Sequence, residues 1–329
     1  MADFVHLTNK TEYSLSEGAL PIARIAELCQ SFSMPAVGIS DNNNMFGALE
    51  FSEQIAKVGV QPILGCNIKI KTPKEYLHEN IEDNDLYFYL NIFSKNNEGY
   101  ENLLKCVSNA YTLNKGNACV TVDDLIKLKE GLIILSGGNN SILTHSTGHM
   151  ITKQSQQFIS DFKKEFNDNF YIEIQRFGSV DYRLNEEAVL NLAYDYQIPL
   201  VATNDAYFEG PEHFEAHDAL MCIEKKLFVS QADRTRLSKE HYFKTQNEML
   251  EQFHDLPEAL NNTIEIAQRC VHRPKIKNPI LPVYDDDQNK EKELMQKLAK
   301  DGLDDRLNTK FDIENIDIEQ QNEIRKVYE

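Results

Sequence analysis

No CxxC pair occurs in this sequence, and its six cysteines (Cys29, Cys66, Cys106, Cys119, Cys222 and Cys270) lie far apart. That scatter gives no support to a zinc ribbon, and in a cytoplasmic protein it reads as buried free thiols, not as a disulfide frame. No apolar run approaches the roughly 20 residues needed to span a bilayer. Met1-Ala2-Asp3 lacks the basic-then-apolar layout of a secretory signal. The expected compartment is therefore the cytoplasm, without a membrane partner. Positive charge is scarce: 34 Lys and Arg face 52 Asp and Glu, a formal net charge of −18. Phosphate backbones are held by clustered Lys and Arg, so weak or no nucleic-acid binding is expected. The segment from Lys225-Lys226 to Arg236 is the local exception. An acidic surface is compatible with simple solubility or with a partner-specific role. Also missing are a GxxxxGK[ST] phosphate loop, a GxSxG elbow and a GxGxxG following a strand; Gly137-Gly138 alone is too little to cradle a phosphate.

What is present is enough for a large core. The 329 residues are 41 % hydrophobic, which suits one large α/β barrel or two ordinary domains. Short apolar runs alternate with helical patterns, as in βα units. Ala36–Ser40 reads as a strand that ends at Asp41 and three asparagines, and the 47–58 stretch as the helix after it. Residues 63–70, 132–136, 170–174 and 199–203 repeat the layout of strand followed by polar turn. In a parallel barrel, such turns gather at one mouth, where active sites lie. Tyr87-Phe88-Tyr89, set among apolar residues, reads as a core strand and not as a base-stacking platform. Residues 114–117 and 136–140 read as loops. After Arg273-Pro274, residues 278–287 read as an extended linker, and 290–307 as an exposed amphipathic helix.

Several segments in order resemble one family. Phe4-Val5-His6-Leu7-Thr8-Asn9-Lys10, with Glu17 following, is similar to the opening of the PHP (polymerase and histidinol phosphatase) domain, in the version found at the front of bacterial DNA polymerase III alpha subunits. Met34-Pro35-Ala36, Ser40-Asp41-Asn42-Asn43-Asn44-Met45-Phe46-Gly47 and Pro62-Ile63-Leu64-Gly65-Cys66-Asn67 resemble later segments. So do Leu135-Ser136-Gly137-Gly138, Val201-Ala202-Thr203-Asn204-Asp205-Ala206-Tyr207 and Glu215-Ala216-His217-Asp218-Ala219-Leu220-Met221-Cys222-Ile223. The matches run across roughly residues 4–275. The resemblance implies a distorted, seven-stranded TIM-like α/β barrel over 1–275, then a linker and the helical start of a polymerase palm region over 276–329.

Active members of that family hold several metals on His, Asp, Glu and Cys ligands and use them in phosphoester hydrolysis; such donors polarise water for attack on phosphorus. Carried over residue by residue, the first two histidines become Thr8 and Lys10. Glu17 is kept. The histidine after Asp41 becomes Asn42, and a glutamate becomes Asn67. A later histidine aligns with Tyr111, and a His-or-Cys position falls near Gly138. Asp205 is kept, but its histidine partner becomes Tyr207. These are positions of a degenerate metal site, with no catalytic residue and no metal ligand expected to work. Lys10 is expected to pair with Asp205 or Glu17 in the place of a metal. An alternative is one weak Mg²⁺ held by Glu17, Asp41 and Asp205 with waters, which Lys10 would oppose. Among the nine histidines, His145 and His149 have i,i+4 spacing but sit in a loop-like stretch. His213 and His217 share that spacing in a helical one, where capping or packing is the simpler role. His6 reads as a structural hydrogen-bonding residue.

The resemblance implies a scaffold: a PHP region that stabilises the polymerase body and docks a separate proofreading exonuclease subunit, with no cofactor of its own. The full-length parent would be a Mg²⁺-dependent DNA-directed DNA polymerase. Its Gly-rich nucleotide-binding stretch and Pro-Asp-Phe-Asp carboxylates do not occur here. The alternative is a residual metal-dependent phosphoesterase, pyrophosphatase or 3′–5′ exonuclease.

Overall fold

The computed structural model describes residues 4–77, 86–113, 117–138, 141–143, 151–177, 180–231, 233–234, 236–276, 278, 283–285, 287–314 and 316–328. His145, His149 and most of the loop-like stretches at 114–117 and 139–140 lie outside the described residues, as does much of the expected linker. Two compact units are present, Met1–Lys275 and Ile276–Glu329.

The first unit is built on seven strands: β1 (Ala36–Asn42), β2 (Gln61–Lys71), β3 (Tyr87–Ser94), β4 (Val120–Thr121), β5 (Leu132–Leu135), β6 (Phe170–Gln175) and β7 (Leu200–Thr203). They pair in the order β1-β2-β3-β5-β6-β7, with the short β4 also on β2. Helix α1 (Ile22–Ser31) precedes β1; α2 (Ala48–Lys57), α3 (Asn97–Thr112), α4 (Val122–Lys127), α5 (Lys153–Phe166) and α6 (Val180–Asp195) follow β1, β3, β4, β5 and β6, and α7 (Phe214–Lys225), α8 (Gln246–Gln252) and α9 (Pro257–Arg269) follow β7. The periodicity explains the docking. In α1, Ile22, Ile25, Ala26, Leu28 and Cys29 are buried, and in α2, Ala48, Phe51 and Ile55 are, one stripe per helix at 3.6-residue spacing. Strands buried on both sides read as continuous apolar runs, which is the pattern of β5 and β7.

The seven-stranded α/β barrel is distorted, as expected, and its sheet is mixed: β3 runs antiparallel to both β2 and β5, whereas β1–β2, β5–β6 and β6–β7 are parallel. The fold is thus a mixed, curled α/β sheet ringed by helices, with a helical C-terminal extension. Residues 6–10 lie between its two end strands. On one side Gly38 N donates to His6 O (2.7 Å) and Ser40 N to Asn9 O (3.0 Å); on the other Ala206 N donates to Thr8 O (3.0 Å) and Lys10 N to Ala206 O (2.8 Å). The register sets Asn42 beside Asn67, and Asn67 beside Asn91. Three asparagines therefore line up across β1, β2 and β3.

The second unit contains α10 (Gln288–Glu314) and α11 (Ile318–Tyr328), tied by Arg325, which bonds to Asp304 and Asn308. Among the described residues no helix is long and apolar enough to cross a membrane.

The close approach of residues 6–10 to β1 depends on Gly38, where an added Cβ would stand 2.3 Å from Leu7 O and 2.8 Å from Leu7 Cα. Backbone, not a flexible side chain, blocks that space. Gly38→Ala is expected to cost about 1–3 kcal/mol or somewhat more, read as a lower urea midpoint with an unchanged slope; an unaltered midpoint would show that the segment can shift away freely.

Candidate functional site

At the carboxyl end of the parallel strands, the polar turns converge on a buried ammonium. Lys10 is 1 % exposed. Its Nζ donates to Ser40 O at 2.5 Å, lies 3.5 Å from Ser40 Oγ, and stands 3.6 Å from Asp205 Oδ1. Asp205 Oδ1 accepts no regular hydrogen bond, so the Lys10 charge is its main compensation. Burial pushes the Asp205 carboxyl up, while Lys10 and then Tyr207 draw it back. Asp205 sits at φ 33°, a conformation costly for a residue with a Cβ. Thr8 holds it there, because Asp205 N donates to Thr8 Oγ1 at 3.1 Å.

A second carboxylate, not singled out from the sequence, shares this interior. Glu173 on β6 is 4 % exposed and accepts from Thr203 Oγ1 (2.5 Å), Asn91 Nδ2 (2.9 Å), Gln175 Nε2 (3.0 Å) and Gly137 N (3.1 Å). Asn91 accepts in turn from Asn67 Nδ2 (2.9 Å) and Ser40 Oγ (2.5 Å). A chain of hydrogen bonds thus runs from Lys10 through Ser40 and Asn91 to Glu173. Burial raises the Glu173 carboxyl; its hydrogen-bond donors oppose the shift, as does the Lys10 charge, while Asp205 adds to it. The sequence did carry a signal: Asn91 and Glu173 are isolated polar residues inside apolar strands. Such residues are costly unless they meet one another.

The remaining site positions divide between floor and mouth. Asp41 is taken up by the turn that follows residue 10, accepting from Thr11 N (2.7 Å), Thr11 Oγ1 (2.8 Å) and Ser14 Oγ (2.6 Å). Burial raises its carboxyl against the pull of those donors. Glu17 accepts from Asn42 Nδ2. Gly138, at φ +54°, carries no side chain into the centre, and the space a Cβ would need is filled by Gln175 at 2.3 Å. Glu17, Asn42, Asn67, Tyr111 and Tyr207 line an open pocket of about 470 Å³. Tyr207 is buried and its hydroxyl is pushed well above the usual range, first by burial and then by the Asp205 and Glu17 charges. Tyr111 is half exposed at the rim.

The donor set does not suit a metal centre. Glu17, Asp41 and Asp205 are each committed to different partners, and among the described residues no three His, Cys, Asp or Glu are placed to hold an ion. His6 and His217 serve as structural hydrogen-bonding residues: His6 Nε2 meets Lys244 O at 2.7 Å and His217 Nε2 meets Glu17 O at 2.7 Å. In the basic segment, Arg234 pairs with Asp218, and Arg236 reaches Asp218 (3.1 Å) and Glu215 (3.2 Å). Its arginines are thus engaged in ion pairs within the chain, with the Arg234 side chain buried and Arg236 at the surface.

A curled α/β sheet whose polar centre sits at the strand ends belongs to a recognisable class, and the comparison with known families agrees: the PHP domain matches residues 6–177. The chain is a member of the PHP domain family. It is 38 % identical over 311 residues to the DNA polymerase III subunit alpha of Caulobacter vibrioides, covering 92 % of this chain and 27 % of that protein. The same subunit from Rickettsia felis is 35 % identical over 328 residues (99 % and 26 %), and that from Escherichia coli 31 % over 307 (92 % and 26 %). The chain spans about a quarter of the length of these curated relatives. Among solved structures, an amidohydrolase from Chromobacterium violaceum aligns with a TM-score of 0.41 at 11 % identity, covering 62 % of this chain and 87 % of that one. A two-domain protein from Bacteroides vulgatus, described as containing a predicted PHP-like metal-dependent phosphoesterase, aligns with a TM-score of 0.40 at 10 % identity (81 % and 69 %).

Removing one partner of a buried charge pair leaves the other uncompensated. Lys10→Met is therefore expected to cost about 3–5 kcal/mol. The cost should depend on pH with a fixed sign. Burial raises both Asp205 and Glu173, and Lys10 opposes that rise; without Lys10 their folded-state values climb further. A raised carboxyl is tolerated while protonated and loses stability as pH rises through the window above its unfolded value. The gap between wild type and Lys10→Met should therefore be wider at pH 8 than at pH 5 in urea titrations. An equal or narrower gap at pH 8 would show that Lys10 does not compensate these carboxylates.

Proposed function

We propose that this chain is the PHP module of a bacterial DNA polymerase III alpha subunit and acts in DNA replication as a catalytically inactive scaffold. It stabilises the polymerase and docks the proofreading exonuclease subunit. The observation that carries this reading is the Lys10 ammonium at the centre of the site, hydrogen-bonded to Ser40 and paired with Asp205. A fixed cation there supplies the charge that would balance the interior carboxylates, and it repels any divalent ion. The relatives' shared identity as DNA polymerase III alpha subunits supports the replication role. The longer parent would polymerise DNA with Mg²⁺ in the cytoplasm. The module itself needs no cofactor, has no membrane partner and binds nucleic acid weakly or not at all, consistent with a net charge of −18 and with arginines engaged in internal pairs.

The competing reading is a residual metal-dependent phosphoesterase, pyrophosphatase or 3′–5′ exonuclease, for which the family's metal chemistry is the argument. Elemental analysis of the purified chain, before and after incubation with Zn²⁺ and Mn²⁺, separates the two. We expect well under one metal ion per chain, and neither elution volume nor melting temperature should change with a chelator. One or more ions per chain, with phosphoester hydrolysis lost on chelation, would replace the scaffold by the enzyme. Docking is tested separately, by co-elution of the chain with the exonuclease subunit.

A further inference from the structure

The pocket above the lysine has a chemistry of its own. Three phenols reach it from three separate elements: Tyr89 from β3, Tyr111 from α3 and Tyr207 from the turn after β7. Glu17 stands among them. Its Oε2 is bonded by Asn42, while Oε1 accepts no hydrogen bond from any described residue. Glu17 lines the same pocket as Tyr89, Tyr111 and Tyr207. Behind the pocket lie Asp41, Glu173 and Asp205 against one ammonium, Lys10; Lys225 lies exposed at the mouth. The local balance is negative, so an anion such as phosphate is disfavoured. Aromatic faces beside a carboxylate recognise organic cations. A volume of about 470 Å³ admits the end of a long side chain, and the space is well within the usual range for bound ligands.

The mouth mixes polar and apolar side chains. Leu15 (68 % exposed) and Phe46 (65 %) stand at its edge with Met221 and Leu237. The apolar side chains beside this open pocket could exclude water once a partner covers it, and arginine is enriched among the anchoring residues of such interfaces. A guanidinium fits better than an ammonium, because its plane stacks on phenol faces and its fork meets a carboxylate. The charge of −18 would also speed the approach of a basic partner.

We propose that this pocket receives the guanidinium of an arginine on a partner polypeptide, the partner being the docked subunit. The inference rests on the docking reading above. Its first test uses N-acetylarginine amide as the probe, titrated into the full chain with a chelator present and followed by NMR. Weak, saturable binding is expected, reduced roughly tenfold by Glu17→Gln and by Tyr111→Ala. Tyr111 is half exposed, so its variant should fold, and near-ultraviolet circular dichroism verifies this. No binding of the probe, equal binding to both variants, or tighter binding of inorganic phosphate in the same pocket would overturn the inference. The second test measures binding of the exonuclease subunit to the same three proteins. Weaker binding by both variants supports the inference. Equal binding to all three overturns the pocket as the anchor and leaves docking intact. Binding to none of them, with the arginine probe still bound, overturns the docking reading instead.

Discussion

The structure of the first unit turns on one buried ammonium. Lys10 lies in the segment that joins the two end strands of the sheet, and its charge meets Ser40 on β1 and Asp205 beyond β7. Desolvating a cation is expensive, and a buried pair repays the cost only when its remaining groups are also satisfied. Here the lysine side is satisfied by a connected set, in which Ser40 reaches Asn91 and Asn91 reaches both Asn67 and Glu173, while Asp205 Oδ1 relies on the ammonium charge. The polar centre and the backbone ring are therefore one construction. Shifting residues 6–10 by a residue would break the backbone bonds to β1 and to Ala206, and would withdraw the ammonium from its carboxylate as well.

This coupling explains why so much polarity is tolerated in the interior. Glu173 takes four donors from β3, β6, β7 and the loop after β5. A half-satisfied carboxylate would be worse than an apolar residue of the same size. A fully satisfied one fixes the relative position of four chain segments, which a uniformly apolar filling could not do with the same directional control. Gly138 fits this account: its lack of a side chain leaves room for Gln175, which serves both Glu173 and Thr203.

Much of this was legible in the sequence, for identifiable reasons. Strands β1, β2, β5, β6 and β7 are short apolar runs ended by polar turns, and the helices between them carry a clear buried stripe. The positions of Thr8, Asn42, Asn67, Asp205 and Tyr207 at one end of the sheet follow from their place just before, at or after those runs. The direction of β3 did not follow. An apolar stretch such as Tyr87–Ser94 has the same pattern in either direction, because alternation and burial do not depend on polarity of the chain. Glu173 and Asn91 are harder to read for the opposite reason: polar residues are cheap and common in turns, whereas within a strand a single polar residue demands a partner that the local sequence does not name. The sequence offers Lys10 two partners, Glu17 and Asp205; the geometry selects Asp205 and gives Glu17 to Asn42.

The positions that differ from the family's ligand pattern are not idle fillers. Thr8 holds the strained backbone of Asp205, Asn42 bonds Glu17, Asn67 bonds Asn91, and Tyr207 lies against Asp205. Each has a hydrogen-bonding role inside the same network as Lys10. Placing a histidine at any one of them would add a single donor atom for a metal while leaving a buried partner unsatisfied, at a cost of about 1–3 kcal/mol. The ammonium would still stand at the centre and oppose the ion. A metal-ligating arrangement at this place would need Lys10 and several of its neighbours to change together, since single changes lose the present compensation before they acquire a new one. The lysine-centred arrangement is for that reason a stable alternative to a metal centre, with its own set of mutually dependent contacts.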